Sequence, residues 1–284
     1  MKTIDVFNGD ADGICALHQL RLAAPADSQL VTGPKRDISL LKRVHAEPGD
    51  RVTVLDVALS KNRQALDALL EAGVNVRYFD HHQPGEIPNH PNFEAHIDTD
   101  ANVCTSLLVN DYLGGQHLAW AVTAAFGDNL AESALRAAQP LSLSTDQLAL
   151  LQSLGECLNY NGYGEALDDL FFDPAELYRQ LRPYADPLAF AAESPAYRTL
   201  KTGYADDMAR AVAVPAAESR PAGRIFLLPA EKWARRISGV FGNRLAVEAP
   251  EQAHAVLTGK PDGGYVVSVR APQSTRSGAD TLCS

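Results

Sequence analysis

The sequence predicts an α/β fold, with a parallel-sheet N-terminal domain whose second half is helical, followed by a smaller α/β C-terminal domain. Three observations carry this expectation. Residues 1–100 alternate short β-rich runs with amphipathic stretches, and residues 105–210 read as almost wholly helical. Strand-like runs return only after the Ala- and Pro-rich tract at 211–223. A chain of 284 residues also sits near the limit of a single core. The expected division is therefore 1–212 and 213–284.

In chain order, strands are predicted at 3–8, 51–57 and 75–79, with helices at 13–24 and 62–72 between them. This is the alternation of βαβ units on a parallel sheet. A further strand is predicted at 93–97. The helical half is broken at Gly114-Gly115, at 159–164 and around Pro183 and Pro187. Beyond residue 223, strands are predicted at 224–228, 253–257 and 265–269, with a helix at 232–247. Pro261-Asp262-Gly263-Gly264 marks a hairpin turn between the last two strands.

Composition narrows the function classes. The N-terminal run Met1-Lys2-Thr3-Ile4-Asp5 leads into acidic residues rather than an apolar stretch, which excludes a signal peptide or membrane span and makes the cytoplasm the default compartment. Cys15, Cys104, Cys157 and Cys283 form no CxxC pair, so we expect reduced, mostly buried thiols. The net charge of −10 argues against gripping long duplex nucleic acid. It is unevenly divided: residues 1–215 hold 16 Lys+Arg against 29 Asp+Glu (−13), and residues 216–284 hold 9 against 6 (+3). An acidic domain able to hold metal is joined to a mildly basic one able to hold an anion.

The chemistry-bearing residues follow the predicted strands. Asn8-Gly9-Asp10-Ala11-Asp12-Gly13 ends the first, Asp56 follows Val52-Thr53-Val54-Leu55, and Asp80-His81-His82 follows Val76-Arg77-Tyr78-Phe79. Taken singly, each carboxylate is equally an Asx turn or a helix cap. Parallel strands share a C-terminal edge, so in this fold the runs converge, and open α/β sheets bind ligands at that edge. Carboxylates packed closely repel one another unless a divalent cation neutralises them. Convergence thus points to metal.

These residues resemble a known family. Asn8-Gly9-Asp10-Ala11-Asp12-Gly13, Asp56 and Asp80-His81-His82 are similar to the first three motifs of the DHH phosphoesterase superfamily, and Phe126-Gly127-Asp128 resembles the fourth. Arg236-Ile237-Ser238-Gly239 through Ser268-Val269-Arg270 is similar to the DHH-associated C-terminal domain. The resemblance implies a metal-binding catalytic domain at 1–212 and a substrate-binding domain at 213–284. It implies two manganese (or magnesium) ions: Asp56 bridging, Asp10 serving one ion, and Asp12, His81 and Asp128 serving the other. His82 would contact phosphate or assist proton transfer, Asp80 would orient His81, and Ser268, Arg270 and Arg236 would bind substrate.

Two departures from the family pattern stand out. A neutral Asn8 lies where many members carry Asp or His, and the chain ends at Cys283-Ser284 without a glycine-rich, basic terminal stretch, so the C-terminal domain is expected to be incomplete at its end. Other polar residues are weighed lower. Asp100 is expected to cap the helix after it, His96 and Asp98 to cap or lie near the metals, Trp120 to be core, and Trp233, Arg235 and Arg244 to be weak candidates for substrate contact.

The function expected is metal-dependent hydrolysis of phosphodiester or phosphomonoester bonds in small nucleotides or short single-stranded oligonucleotides, in a cleft between the domains. No long duplex or membrane partner is expected, and a homodimer stays open. Inorganic pyrophosphatase and a non-catalytic nucleotide-binding module are the alternatives.

Overall fold

The computed structural model describes residues 1–275, 278 and 279; Cys283 lies outside them. The chain begins with β1 (Thr3–Asn8), α1 (Ala11–Ala23), β2 (Gln29–Gly33), β3 (Arg51–Leu55), α2 (Leu59–Glu71), β4 (Asn75–Asp80) and β5 (Phe93–Ile97). Helices α3 (Thr105–Tyr112), α4 (Leu118–Gly127), α5 (Ala131–Ala138), α6 (Thr145–Gly162), α7 (Pro174–Leu181), α8 (Pro187–Glu193) and α9 (Pro195–Ala213) follow. The last part holds β6 (Glu218–Arg220), β7 (Gly223–Leu228), α10 (Lys232–Glu248), β8 (Ala253–Gly259) and β9 (Tyr265–Arg270).

Two compact units emerge, one of Met1–Gly162 with Phe171–Lys201, the other of Tyr163–Leu170 with the chain from Thr202 onward. The division lies at 201/202 rather than 212/213, because α9 runs unbroken to Ala213 and its second half belongs to the second unit.

The first unit is built on a five-stranded, all-parallel sheet in the order β2-β1-β3-β4-β5. One face presents Ile4, Val6, Val52, Val54, Val76 and Tyr78 to Leu66, Leu69 and Leu70 of α2. The other is partly covered by α1, which is buried continuously from Ala11 to Leu20 and packs against α3, α4 and α6. A helix buried all round shows little amphipathic signal. A buried carboxylate on this side, Asp5, is held by Arg21 Nε at 2.8 Å and Ser28 Oγ at 2.6 Å. Edge strand β2 was missed from sequence. In Gln29-Leu30-Val31-Thr32-Gly33 the two large apolar residues, Leu30 and Val31, are adjacent rather than alternating, so the run carries little strand signal.

The second unit carries a mixed four-stranded sheet, β6-β7-β8-β9, in which only β7 and β8 run parallel. Buried Trp233, Ile237, Phe241 and Leu245 recur at helical spacing along α10, which packs on β8 and β9. The predicted hairpin turn is present: Gly263 and Gly264 take φ of 96° and 80°, which favours glycine, and Lys260 N donates to Gly264 O at 3.1 Å. Among the described residues, no helix is long and apolar enough to cross a membrane.

Candidate metal centre

The carboxyl ends of β1, β3 and β4 lie side by side, so the residues following them meet at one edge. Asp10 is the N-cap of α1: its Oδ1 accepts from Asp12 N and Gly13 N, both at 3.1 Å. The cap and the site are thus one residue, because the helix that begins there points its N-terminal amides at the carboxylate. Asp12 Oδ2 and Oδ1 accept from Thr105 N and Ser106 N at 2.7 Å each. These are the first amides of α3, so Asp12 takes the capping role expected of Asp100. Asp100 instead accepts from Asn102 N in a turn of its own.

Predicted strand 51–57 ends at Leu55 because Asp56 turns into the left-handed region, with φ of 58°. A non-glycine residue there is strained by roughly 1–2 kcal/mol. The turn brings its carboxylate 3.4 Å from His81 Nε2. His81 Nδ1 lies 2.9 Å from the Val103 carbonyl; a proton donated there leaves Nε2 as the ligating atom. Asp80 was expected to orient His81, but it bonds His82 instead, with Oδ1 at 2.7 Å from His82 Nδ1.

Asp128 is the C-cap of α4. It reaches the cluster because Gly127 permits close packing: a Cβ there would lie 2.5 Å from Ala11 Cβ and 2.7 Å from Gly155 O. Asp128 Oδ2 lies 3.8 Å from His81 Nε2, which is also 4.0 Å from Asp12 Oδ2.

Sequence reading missed Lys35. Its Nζ is 2.6 Å from Asp10 Oδ2 and 3.4 Å from both Asp128 Oδ1 and Asn159 Oδ1. Burial alone would raise the Asp10 pKa, but the Lys35 ammonium outweighs it and holds the carboxyl below its ordinary value. Asp56, on the other side, is pushed well up by burial and by its neighbours Asp10 and Asp12. Burial and the nearby charges likewise raise Asp128, against the pull of Lys35. Burial draws the His81 pKa down, yet the hydrogen bond it donates to Asp56 and the charges of Asp12, Asp56 and Asp128 lift it to about 10.

Two donor groups could hold a cation: Asp56, His81 and His82, and Asp12, His81 and Asp128, the ligand atoms of each lying within 4.8 Å of one another. Carboxylate oxygen with imidazole nitrogen suits manganese, magnesium or a similar divalent ion. Asn8 Oδ1 and Asp80 Oδ2 are buried without a hydrogen-bond partner, as acceptors beside a cation site can be. The residues present therefore fit such an ion.

Arg270 Nε donates to Asn243 Oδ1 at 2.8 Å, and its other nitrogens reach Ser268 Oγ at 3.0 Å and Gly239 O at 3.3 Å. Arg236 is bonded to Asp207 at 2.9 Å and to the Asp169 carbonyl, while Arg235 pairs with Asp169 and Arg244 with Glu248. Trp120 is fully buried, as expected. Trp233 is also mostly buried and donates to Glu231, while His96 stacks on Phe79 and bonds Glu94. Cys15, Cys104 and Cys157 are buried free thiols.

No family model and no curated protein sequence matches the chain. Solved structures do. An exonuclease RecJ bound to manganese aligns with a TM-score of 0.61 at 19% identity, covering 95% of this chain and 78% of that one. RecJ from Thermus thermophilus in complex with Mn2+ gives 0.57 at 19% identity, over 95% of this chain and 45% of its own. The pGpG-specific phosphodiesterase PggH from Vibrio cholerae gives 0.52 at 14% identity, over 98% and 85%. The chain thus has the fold of RecJ exonuclease and of the pGpG-specific phosphodiesterase.

Proposed function

We propose that the chain is a divalent-metal-dependent phosphoesterase that hydrolyses small nucleotides or short single-stranded oligonucleotides. The observation that carries this reading is the convergence of Asp10, Asp12, Asp56 and His81 at one sheet edge, joined by Asp128 from the end of α4, beside an Asp80–His82 pair. Two ions, manganese or magnesium, are the cofactor we propose: Asp56 shared, Asp10 on one side, and Asp12, His81 and Asp128 on the other. When bound, such ions polarise the phosphoryl group and supply a nucleophilic water at neutral pH.

The chain's own residues do the rest. Thr105 N and Ser106 N fix the Asp12 carboxylate, and Val103 O fixes the His81 ring, so two ligands are oriented before any cation arrives. His82 is half-exposed, with Nδ1 engaged by Asp80. That leaves Nε2 to donate a proton to the departing oxygen, with Asp80 stabilising the imidazolium. In the second unit, Arg270 makes its described bonds to neutral oxygens only, so its charge stays available for a phosphate, with Ser268 beside it. Arg236 would have to share its guanidinium with Asp207.

The small-substrate reading is supported by the −10 net charge, which opposes a long basic track, and by likeness to a phosphodiesterase named for a dinucleotide. The test is a manganese-activated hydrolysis screen against dinucleotides, cyclic dinucleotides, 3′-phosphoadenosine 5′-phosphate, pyrophosphate and single strands of up to about a dozen nucleotides. Fastest turnover of the dinucleotides supports the proposal. Faster cleavage of long strands at matched ends would make the chain an exonuclease, and selective turnover of pyrophosphate would make it a pyrophosphatase.

A further inference from the structure

The proposed chemistry leaves Lys35 without a task, although it is the amine placed against the acidic cluster. Its position is built in. Lys35 follows Gly33 and Pro34 at the end of β2, and its backbone N–H donates to Gly162 O at 2.8 Å, tying this loop to the end of α6. From there the side chain, 27% exposed, reaches Asp10 Oδ2, Asp128 Oδ1 and Asn159 Oδ1. Three oxygens around three N–H donors satisfy an ammonium.

The two oxygens of Asp10 are not equivalent. Oδ1 already accepts two backbone amides of α1, which uses both of its lone-pair directions. Oδ2 is left as the ligating atom, and that is the oxygen Lys35 holds at 2.6 Å. A divalent ion bound to that oxygen would sit next to the ammonium already held there at 2.6 Å, so the two cations repel each other and compete for Oδ2. The Asp12, His81 and Asp128 group is different: Asp128 faces His81 with Oδ2 and Lys35 with Oδ1, so a cation on that group leaves the lysine in place.

Resting on the metal-dependent reading above, we propose that Lys35 is a resident cation on Asp10 Oδ2 that must be displaced before a divalent ion binds there, so that the centre loads its ions in two steps of unequal affinity. Charge favours the same order. Four carboxylates, Asp10, Asp12, Asp56 and Asp128, outnumber the two basic groups among them, Lys35 and His81, so the first divalent ion enters a site rich in negative charge. The second meets a cluster already largely neutralised, and must break a charge-assisted hydrogen bond as well. A lysine suits this exchange because its ammonium is a point charge on a flexible stem that can swing aside.

Manganese titration of the full chain without substrate tests this, by calorimetry for affinity and stoichiometry and by electron paramagnetic resonance for spin coupling between paired ions. The wild type should bind one ion tightly and a second weakly, with coupling appearing only in the second step. Lys35→Met keeps the stem and removes the charge; it should tighten the second step by roughly tenfold or more, the loss of one charged hydrogen-bonding competitor, and leave the first nearly unchanged. Lys35→Arg keeps the charge and should keep the second step weak, which controls for a general loosening of the fold. Two steps of equal affinity in the wild type, or a second step that Lys35→Met leaves unchanged or weakens, would overturn this inference while leaving the proposed function standing. Absence of any manganese binding would overturn both.

Discussion

Asp12 and Asp56 are both expected to ligate metal, yet the stability of the metal-free protein should respond to their neutralisation in opposite directions. Asp12→Asn keeps one oxygen for the α3 amides but turns an NH2 group towards the other, since both carboxylate oxygens are engaged at 2.7 Å. One charge-assisted hydrogen bond is lost, worth about 1.5–3 kcal/mol. The favourable placement of an anion at a helix N-terminus goes with it, for about 0.3–1 kcal/mol. Relief of repulsion among the carboxylates offsets part of this, leaving a loss of about 1–3 kcal/mol.

Asp56→Asn removes a charge that burial and the neighbouring Asp10 and Asp12 oppose, and asparagine tolerates φ of 58° well. No backbone amide holds the Asp56 carboxylate among the described bonds; Thr105 Oγ1 and His81 Nε2 both reach its Oδ1 at 3.4 Å, and the asparagine carbonyl oxygen can still accept from them. The metal-free variant should be more stable than wild type by about 1 kcal/mol, even though it loses its ions and turnover. Urea unfolding in the presence of a chelator reads both effects as shifts of midpoint at constant slope. The reasoning is refuted if Asp12→Asn unfolds at or above the wild-type midpoint, or if Asp56→Asn unfolds below it.

Three further outcomes are expected. His82→Ala should lose turnover while keeping bound manganese, whereas Asp56→Ala should lose both; equal metal loss in the two, measured by titration, would make His82 an ordinary ligand. Arg270→Ala should raise KM more than it lowers kcat on a dinucleotide, as for a group that binds ground state and transition state alike, and steady-state kinetics would show the reverse if it acted on the transition state. His18, packed edge-on against Trp120 with Nε2 2.8 Å from Tyr184 O, has its pKa lowered by burial from 6.5 to about 4. The fold therefore holds it neutral: its contribution is intact above pH 6.5 and is lost as pH falls towards 4, because the unfolded chain takes up a proton that the native state does not. Between about pH 7 and 4.5 this component costs roughly 2–3 kcal/mol, and His18→Gln should flatten the unfolding profile by an amount of that order; an unchanged profile would exclude it.

Much of the candidate centre was legible in the sequence, because its residues are written as local runs. Asp10, Asp12, Asp56, His81 and His82 each follow an apolar β run, and parallel pairing of β1, β3 and β4 brings such runs to one edge whatever the loops between them do. Asp128 was harder to read, since it ends a helix and reaches the others only through the close packing that Gly127 and Gly155 permit. A helix cap can also be a member of the acidic cluster, as Asp10 shows.

Partner choice was not legible, because it depends on residues far apart in sequence. Asp12 caps α3 across a separation of 93 residues, whereas capping signals in sequence are local. Asp80 could have turned to either adjacent histidine, and the backbone after β4 settles it on His82. Lys35 carried no signal at all: it follows a short edge strand, and the oxygens that hold its ammonium come from α1, the end of α4 and α6. A charge in a loop reads as solvated until the fold surrounds it with carboxylates, and that enclosure is a property of the packed chain alone.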